Sequence, residues 1–486
     1  MRYAPPQTLA DRAFHAIDVG MQWLYRVFRV RPQSFLDLVT ITSPTTLVMR
    51  DGTLVTALQI AGATRSVLQQ ELETILDVSN GKLASYMGDG CHYASFYFSR
   101  DKRGIREELE RTYGAARRST KAMGADFSDL IDEQIDVLER MCFSETCLLL
   151  LYTTQHGLSK DERDLLQKRH ERALEGLPSA RGAQPLAPYG EGLQARHDSF
   201  VEMYRHDLAT AFVEAEVLDA HVFLRFLRTG IDPEWTDPAW RPRLPGDPPP
   251  MRVPEDFQGD WSSLLWPTLP EQLFPRGART EGAYCIIGDR AYAPVTISLM
   301  PQSPEPFQTL FARLNREQIP WRMHELIRND GLDLLAFKEK MASLLLFSGA
   351  PENRRLVDVK KALGRLREAG DEIVKLQITL CTWALKDDLG LLEERRARLA
   401  RCVQGWGNCE VAPVEGDILE STLCSLPGAM LGSVATPAAA PLYDAMKMAP
   451  LTRPASAWKS GSRCARAMGG CSITNRTRRG KPVGLR

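Results

Sequence analysis

Val374-Lys375-Leu376-Gln377-Ile378-Thr379-Leu380 alternates apolar and polar residues without a break. This is the period of a β-strand, with Val374, Leu376, Ile378 and Leu380 on a buried sheet face and Lys375, Gln377 and Thr379 on a solvated or polar one. Upstream, Ala94, Phe96 and Phe98 alternate in the same way with Tyr93, Ser95, Tyr97 and Ser99, which predicts a second half-buried strand. A hairpin signal precedes each strand: residues 46–50 and 53–60 flank Asp51-Gly52, and residues 284–287 and 294–299 flank Gly288-Asp289-Arg290. The fully apolar run 147–151 reads as a central buried strand. Helical spacing falls between the strands, at Ile105, Leu109 and Tyr113, at Ile131, Ile135 and Leu138, and at Phe307, Leu310, Phe311 and Leu314. Ser159 and Glu162 form a capping box for a helix through about Arg172. A charged helix is expected over 386–404, with Leu392 and Leu399 inward, followed by a short strand near 409–412.

The order of elements is that of an α/β fold with mixed sheets. Two α/β modules are expected, 41–228 and 280–428, each rich in antiparallel sheet with helices on one face. The connector, 229–279, holds eleven of the thirty-one prolines and four of the nine tryptophans (Trp235, Trp240, Trp261, Trp266). That composition rules out long helices and central strands, and the tryptophans suggest packing against a domain surface. Residues 1–40 form an amphipathic N-terminal segment, apolar at Phe14, Ile17, Met21, Leu24 and Phe28, with Arg26, Arg29 and Arg31 at its end. It fits a membrane-surface or partner-docking helix, and fits better a first helix packed on its own domain. After Leu426-Pro427-Gly428 the periodicity weakens. Residues 435–441 read as a breaker, and 429–461 as a strap.

At 486 residues, 44% hydrophobic and 25% charged, the chain has ample length for real cores, and collagen, coiled coil and wholesale disorder are excluded. Sixty-one basic side chains balance sixty-one acidic ones. The last twenty-five residues nevertheless hold seven bases (Arg463, Arg466, Arg476, Arg478, Arg479, Lys481, Arg486) and no acid, so the preceding body carries seven more acids than bases. A mildly acidic body argues against direct nucleic-acid binding. The ten cysteines show no CxxC spacing and read as thiols that pack in cores. No leader pattern opens the chain, and no apolar run approaches the ~18 residues that a bilayer crossing needs.

The search for chemistry is mostly negative. Gly81-Lys82-Leu83 and Gly480-Lys481-Pro482 lack the Ser or Thr of a phosphate-cradling loop, and neither GxSxG nor HExxH occurs. The eight histidines do not cluster with metal-ligand spacing. Glu202 and His206 share a helix face but read as ordinary surface. Cys142 and Cys147 read as buried, inert thiols, and Asp387-Asp388 as a helix cap. No catalytic, cofactor-binding or metal-binding residue is therefore assigned.

Pro450-Leu451-Thr452-Arg453-Pro454-Ala455-Ser456-Ala457-Trp458-Lys459-Ser460-Gly461 is an extended, proline-bounded strap. It resembles the PLxRPxSxWxSG stretch that lies ahead of the motor domain in the hexameric ATPases of type IV secretion and conjugation systems, most closely the type IVB branch. Other segments agree: the Asp51-Gly52 hairpin, Leu265-Trp266-Pro267 with Glu271-Gln272-Leu273-Phe274-Pro275, Gly288-Asp289-Arg290, and Ser425-Leu426-Pro427-Gly428. The resemblance implies a docking and assembly region that is cytoplasmic, peripheral to the inner membrane and bound to other components of the apparatus. In the full-length family it also implies self-association and a Walker-type motor using ATP and magnesium. This sequence shows no Walker motif, so only the docking role carries over, and no cofactor is expected in the chain. Residues 462–486 are expected to be an out-of-frame, disordered tail: back-translated in another frame, 469–476 reads Gly-Arg-Leu-Phe-His-Tyr-Gln-Pro, similar to the segment that follows the strap in that family. The alternative is a self-sufficient cytosolic enzyme with a site in a cleft between the two modules.

Overall fold

The computed structural model describes residues 31–63, 69–175, 182–237, 239–248, 265–301, 303–345, 361, 365, 372–412, 417–452, 462–465 and 471–474. Three strands open the first half: β1 (Leu38–Ser43), β2 (Thr46–Met49) and β3 (Leu54–Ala63). Gly52 turns the β2–β3 hairpin with φ of 83°, and the ring of Tyr189 lies so close that a Cβ there would meet it at 2.6 Å. Helix α1 (Gln69–Met87) leads into β4 (His92–Asp101), and the pair α2 (Ile105–Ala122) and α3 (Ser128–Met141) into β5 (Ser144–Thr153). Helices α4 (Lys160–Leu174) and α5 (Gln194–Thr210), strand β6 (Val213–Val217) and helix α6 (Ala220–Ile231) complete this half. Among the described residues of the connector is the five-residue α7 (Leu269–Leu273).

The second half runs β7 (Ala278–Glu281), β8 (Tyr284–Ile287), β9 (Arg290–Leu299), α8 (Phe307–Glu317), β10 (Trp321–Arg328), α9 (Gly331–Leu345), β11 (Ile373–Leu385), α10 (Leu389–Gln404), β12 (Glu410–Ala412) and α11 (Ile418–Cys424). Strand β13 (Ala438–Pro441) and helix α12 (Leu442–Met448) follow. Gly288, at φ of 59°, makes the second hairpin turn. The fold is thus α/β, with one large antiparallel sheet.

All thirteen of these strands belong to that sheet, whose main order is β1-β2-β3-β5-β4-β10-β11-β9-β8-β7. The halves repeat one topology: β1-β2-β3-β5-β4 mirrors β7-β8-β9-β11-β10, with β6 added to β3 and β12 to β9. Both halves meet at β4 and β10, antiparallel from Trp321 opposite Arg100 to Ile327 opposite Ala94. The halves are therefore joined through this strand pair as well as through the connector.

Helices cover both faces of the sheet, not one. Phe96, Phe98, Leu149 and Ile378 lie on the face packed by α1, α5, α8, α10 and α12, where the Phe98 ring meets Phe307 and Phe311 edge-on. The opposite face carries Ser95, Tyr97, Gln377 and Thr379, all buried. It is not solvated, because α6, α7, α11 and residues 425–435 fold over it: Tyr97 meets Phe226 of α6, and Gln377 Nε2 donates to the carbonyls of Ser433 and Ala435 at 2.8 and 2.7 Å. Alternation signalled polarity correctly, but here polarity is satisfied by protein and not by water.

Two further expectations are corrected. Ala438–Pro441, taken as part of a breaker, is strand β13, paired with the Ile373–Leu376 end of β11 that extends beyond β9. Within the tail 462–486, expected to be disordered, Ser462–Ala465 and Cys471–Thr474 form a separate antiparallel pair, β14 and β15. The amphipathic stretch 14–28 and the strap beyond Thr452 lie outside the described residues. Among the described connector residues, Leu244, Leu269, Leu273 and Phe274 are buried and Trp240 packs against the same core, whereas Trp235 is 56% exposed.

Candidate functional site

Helix α6 is amphipathic and seats Phe223, Leu224, Leu227 and Ile231 on the sheet, while Asp219 caps its start by accepting from the His221 amide at 2.8 Å. Its carboxyl end, where unpaired carbonyls concentrate negative partial charge, is met by three donors. Arg103 Nη1 donates to Thr229 O at 3.0 Å, Arg322 Nη1 to Gly230 O at 2.9 Å and Tyr292 Oη to Ile231 O at 3.0 Å. A Cβ on Gly230 would lie 2.6 Å from Leu426 Cδ2, so a larger residue there would have to displace that buried side chain.

Arg322, on β10, is 3% exposed and forms no ion pair among the described residues. Its charge is instead matched by helix-end carbonyls and a hydroxyl: besides Gly230, it donates to Thr422 O of α11 at 3.1 Å and to Ser425 Oγ at 2.7 Å. The Tyr292 and Trp383 rings flank the guanidinium at 5.2 and 5.7 Å. One cation thus holds the ends of two topologically equivalent helices. His324, two residues on, bonds Cys424 O at 2.8 Å, and burial pushes its pKa down to about 4, leaving it neutral.

Ion pairs continue outward from this point. Asp232, fully buried, accepts from Arg276 Nε and Nη2 at 2.5 Å each, a bidentate pair. Arg276 also reaches Asp289 at 3.4 Å, and Lys386 donates to Asp289 at 2.7 Å. The Lys386 and Arg276 hydrogen bonds hold the Asp289 carboxyl below its ordinary range. Arg290 pairs with Glu234 at 2.5 Å, and Arg103 with Asp101. Arg228 donates to Gln272 O at 2.5 Å over the Trp240 ring. Apart from Arg228 Nε, which is buried without a hydrogen-bond partner, these groups are paired and suited to fixing geometry.

The sequence candidates are dispersed. Glu202 pairs with Arg205 at 2.6 Å on the exposed side of α5, and Asp388 caps α10 by accepting from the Leu391 amide at 3.1 Å. Cys147 is a buried thiol whose Sγ donates to Pro450 O at 3.7 Å. Cys142 is buried against α2 and α3 with Ile105, Leu109, Ile135 and Leu138. Burial raises the Cys285 and Cys424 thiols to about 12.

Sequence reasoning missed two buried polar features. On the helical face, Thr56 Oγ1 and Thr153 Oγ1 each lie 2.8 Å from a His197 ring nitrogen, and Thr153 also bonds His92 at 3.0 Å. Burial, with His92 alongside, drives the His197 pKa down to about 3. The second feature is Glu325, wholly buried opposite Phe96 and Ile378, with neither carboxyl oxygen hydrogen-bonded. Only its placement inside an otherwise apolar register marks it in sequence. A surface cavity of about 170 Å³ lies between α4 and residues 188–192, lined by Arg169, His170, Tyr189 and Glu191.

No known family model and no curated protein matches this chain. Among the described residues no helix is long and apolar enough to cross a membrane.

Proposed function

We propose that the chain is a docking and assembly module of a type IV secretion or conjugation apparatus, equivalent to the amino-terminal region of a type IVB ATPase and peripheral to the inner membrane. The observation that carries this reading is the convergence of the segments that resemble that family. Gln272 receives Arg228, Asp289 receives Arg276, Arg290 holds Glu234 and Ser425 holds Arg322, so three separate motifs meet around the carboxyl end of α6. Short motifs that build one buried knot fit a body whose shape is its function. The strap motif starts in the same body, with Leu451 fully buried and Pro450 O bonded to Cys147 across the helical face. A chain continuing from there would leave from a fixed point on the sheet.

The test is co-isolation of the tagged full chain with the inner-membrane and cytoplasmic components of the apparatus. The proposal expects stoichiometric recovery of at least one of them. A folded chain that associates with none would overturn it.

A further inference from the structure

Five exposed large apolar side chains gather on the α2–α3 hairpin: Met123, Phe127, Leu130, Val137 and Met141, exposed by 72, 47, 56, 48 and 55%. On α3, Leu130, Val137 and Met141 fall on one face, offset from Ile131, Ile135 and Leu138, which pack on α2. A row of exposed apolar side chains of this kind marks a contact surface. Its rim is acidic at the amino-terminal end of α3. Asp129 and Glu133 are exposed and make no ion pair among the described residues, whereas Asp132, Asp136 and Glu139 are engaged by Arg117 and Arg106.

The chain carries a complementary segment. Phe14, Ile17, Met21, Leu24 and Phe28 recur at helical spacing, and Arg26 and Arg29 stand at the end of that stretch. Antiparallel alignment sets this basic end against Asp129 and Glu133, with Phe28 beside Leu130 and Phe14 toward Met141. The same chain is badly placed to supply it. The carbonyl of Arg31 is bonded by the Ser34 amide, and Ser34 O by Arg50, which places Arg31 at the end of the sheet where Leu38 pairs with Met49 and Leu54 with Thr153. Helix α3 ends beside Ser144, at the other end of β5. Nine residues of strand separate those ends, about 30 Å, and three strand spacings add about 14 Å sideways. Even folded back along the sheet, the eleven residues from Leu130 to Met141 recover only about 16 Å. Phe28 to Arg31 spans at most about 11 Å.

We propose that the α3 strip receives residues 14–31 of a second copy of this chain, an arm-to-body contact between unlike surfaces that closes into rings or extends into filaments. It does not depend on the secretion reading. Size-exclusion chromatography with light scattering on the full chain tests it. Wild type is expected to be oligomeric. R26E/R29E and D129K/E133K are each expected to dissociate it by tenfold or more, and the combined quadruple variant to restore it. V137E, on the strip itself, should dissociate it without changing the thermal melt. A monomeric wild type, an oligomer indifferent to both charge reversals, or a folded quadruple variant that stays dissociated would each overturn the proposal.

Discussion

Glu325 sits wholly inside the sheet at the junction of the two halves, and burial raises its pKa well above the ordinary 4.5. Folded, it keeps its proton to higher pH than it does unfolded. Its contribution to stability is therefore intact below about pH 4.5 and is lost as pH rises toward the folded pKa, at up to about 1.4 kcal/mol per pH unit. E325Q cannot ionise in either state. Denaturation from pH 4 to pH 8 should show E325Q gaining on wild type as pH rises, and a constant difference would contradict the assignment. Alternation puts Glu325 on the same face as Trp321, Met323 and Ile327, which is its one mark in sequence, but a local pattern cannot say that the face is covered.

At the scale of elements, much was legible. The Ser159–Glu162 capping box is present, with both reciprocal hydrogen bonds, and the Asp51-Gly52 and Gly288-Asp289 turns each join paired strands. These are local signals, in which neighbouring residues decide the backbone. The carboxyl end of α6 was not legible, because its partners come from Arg103, Arg276, Tyr292, Arg322 and Ser425, brought together only by the sheet. Strand β13 escaped for a related reason, since three alanines and a proline have weak strand character until β11 offers an edge. The buried Asp232–Arg276 pair is the anchor most open to test. D232N leaves a guanidinium facing an amide, and breaking such a pair costs about 3 kcal/mol. Urea denaturation should show that loss, with part of it recovered in D232N/R276M; a loss under about 1 kcal/mol would mean that the pair does not hold the connector.

For the whole molecule, two units joined by a connector are what the sequence suggests, since each half opens with a hairpin and repeats one order of elements. The repeat is present, but β4 and β10 pair along seven residues and merge the halves into one sheet, while Arg322 ties α6 of the first half to α11 of the second. Pairing between strands more than two hundred residues apart leaves no local trace, which is why the repeat was legible and the fusion was not. Continuity of the core across that seam predicts cooperative unfolding. Differential scanning calorimetry of the full chain is the most direct measurement. The account predicts one endotherm whose calorimetric and van't Hoff enthalpies agree, shifted down but still single in D232N. Two resolved endotherms, one removed by a destabilising substitution confined to residues 41–228 and the other left in place, would contradict it.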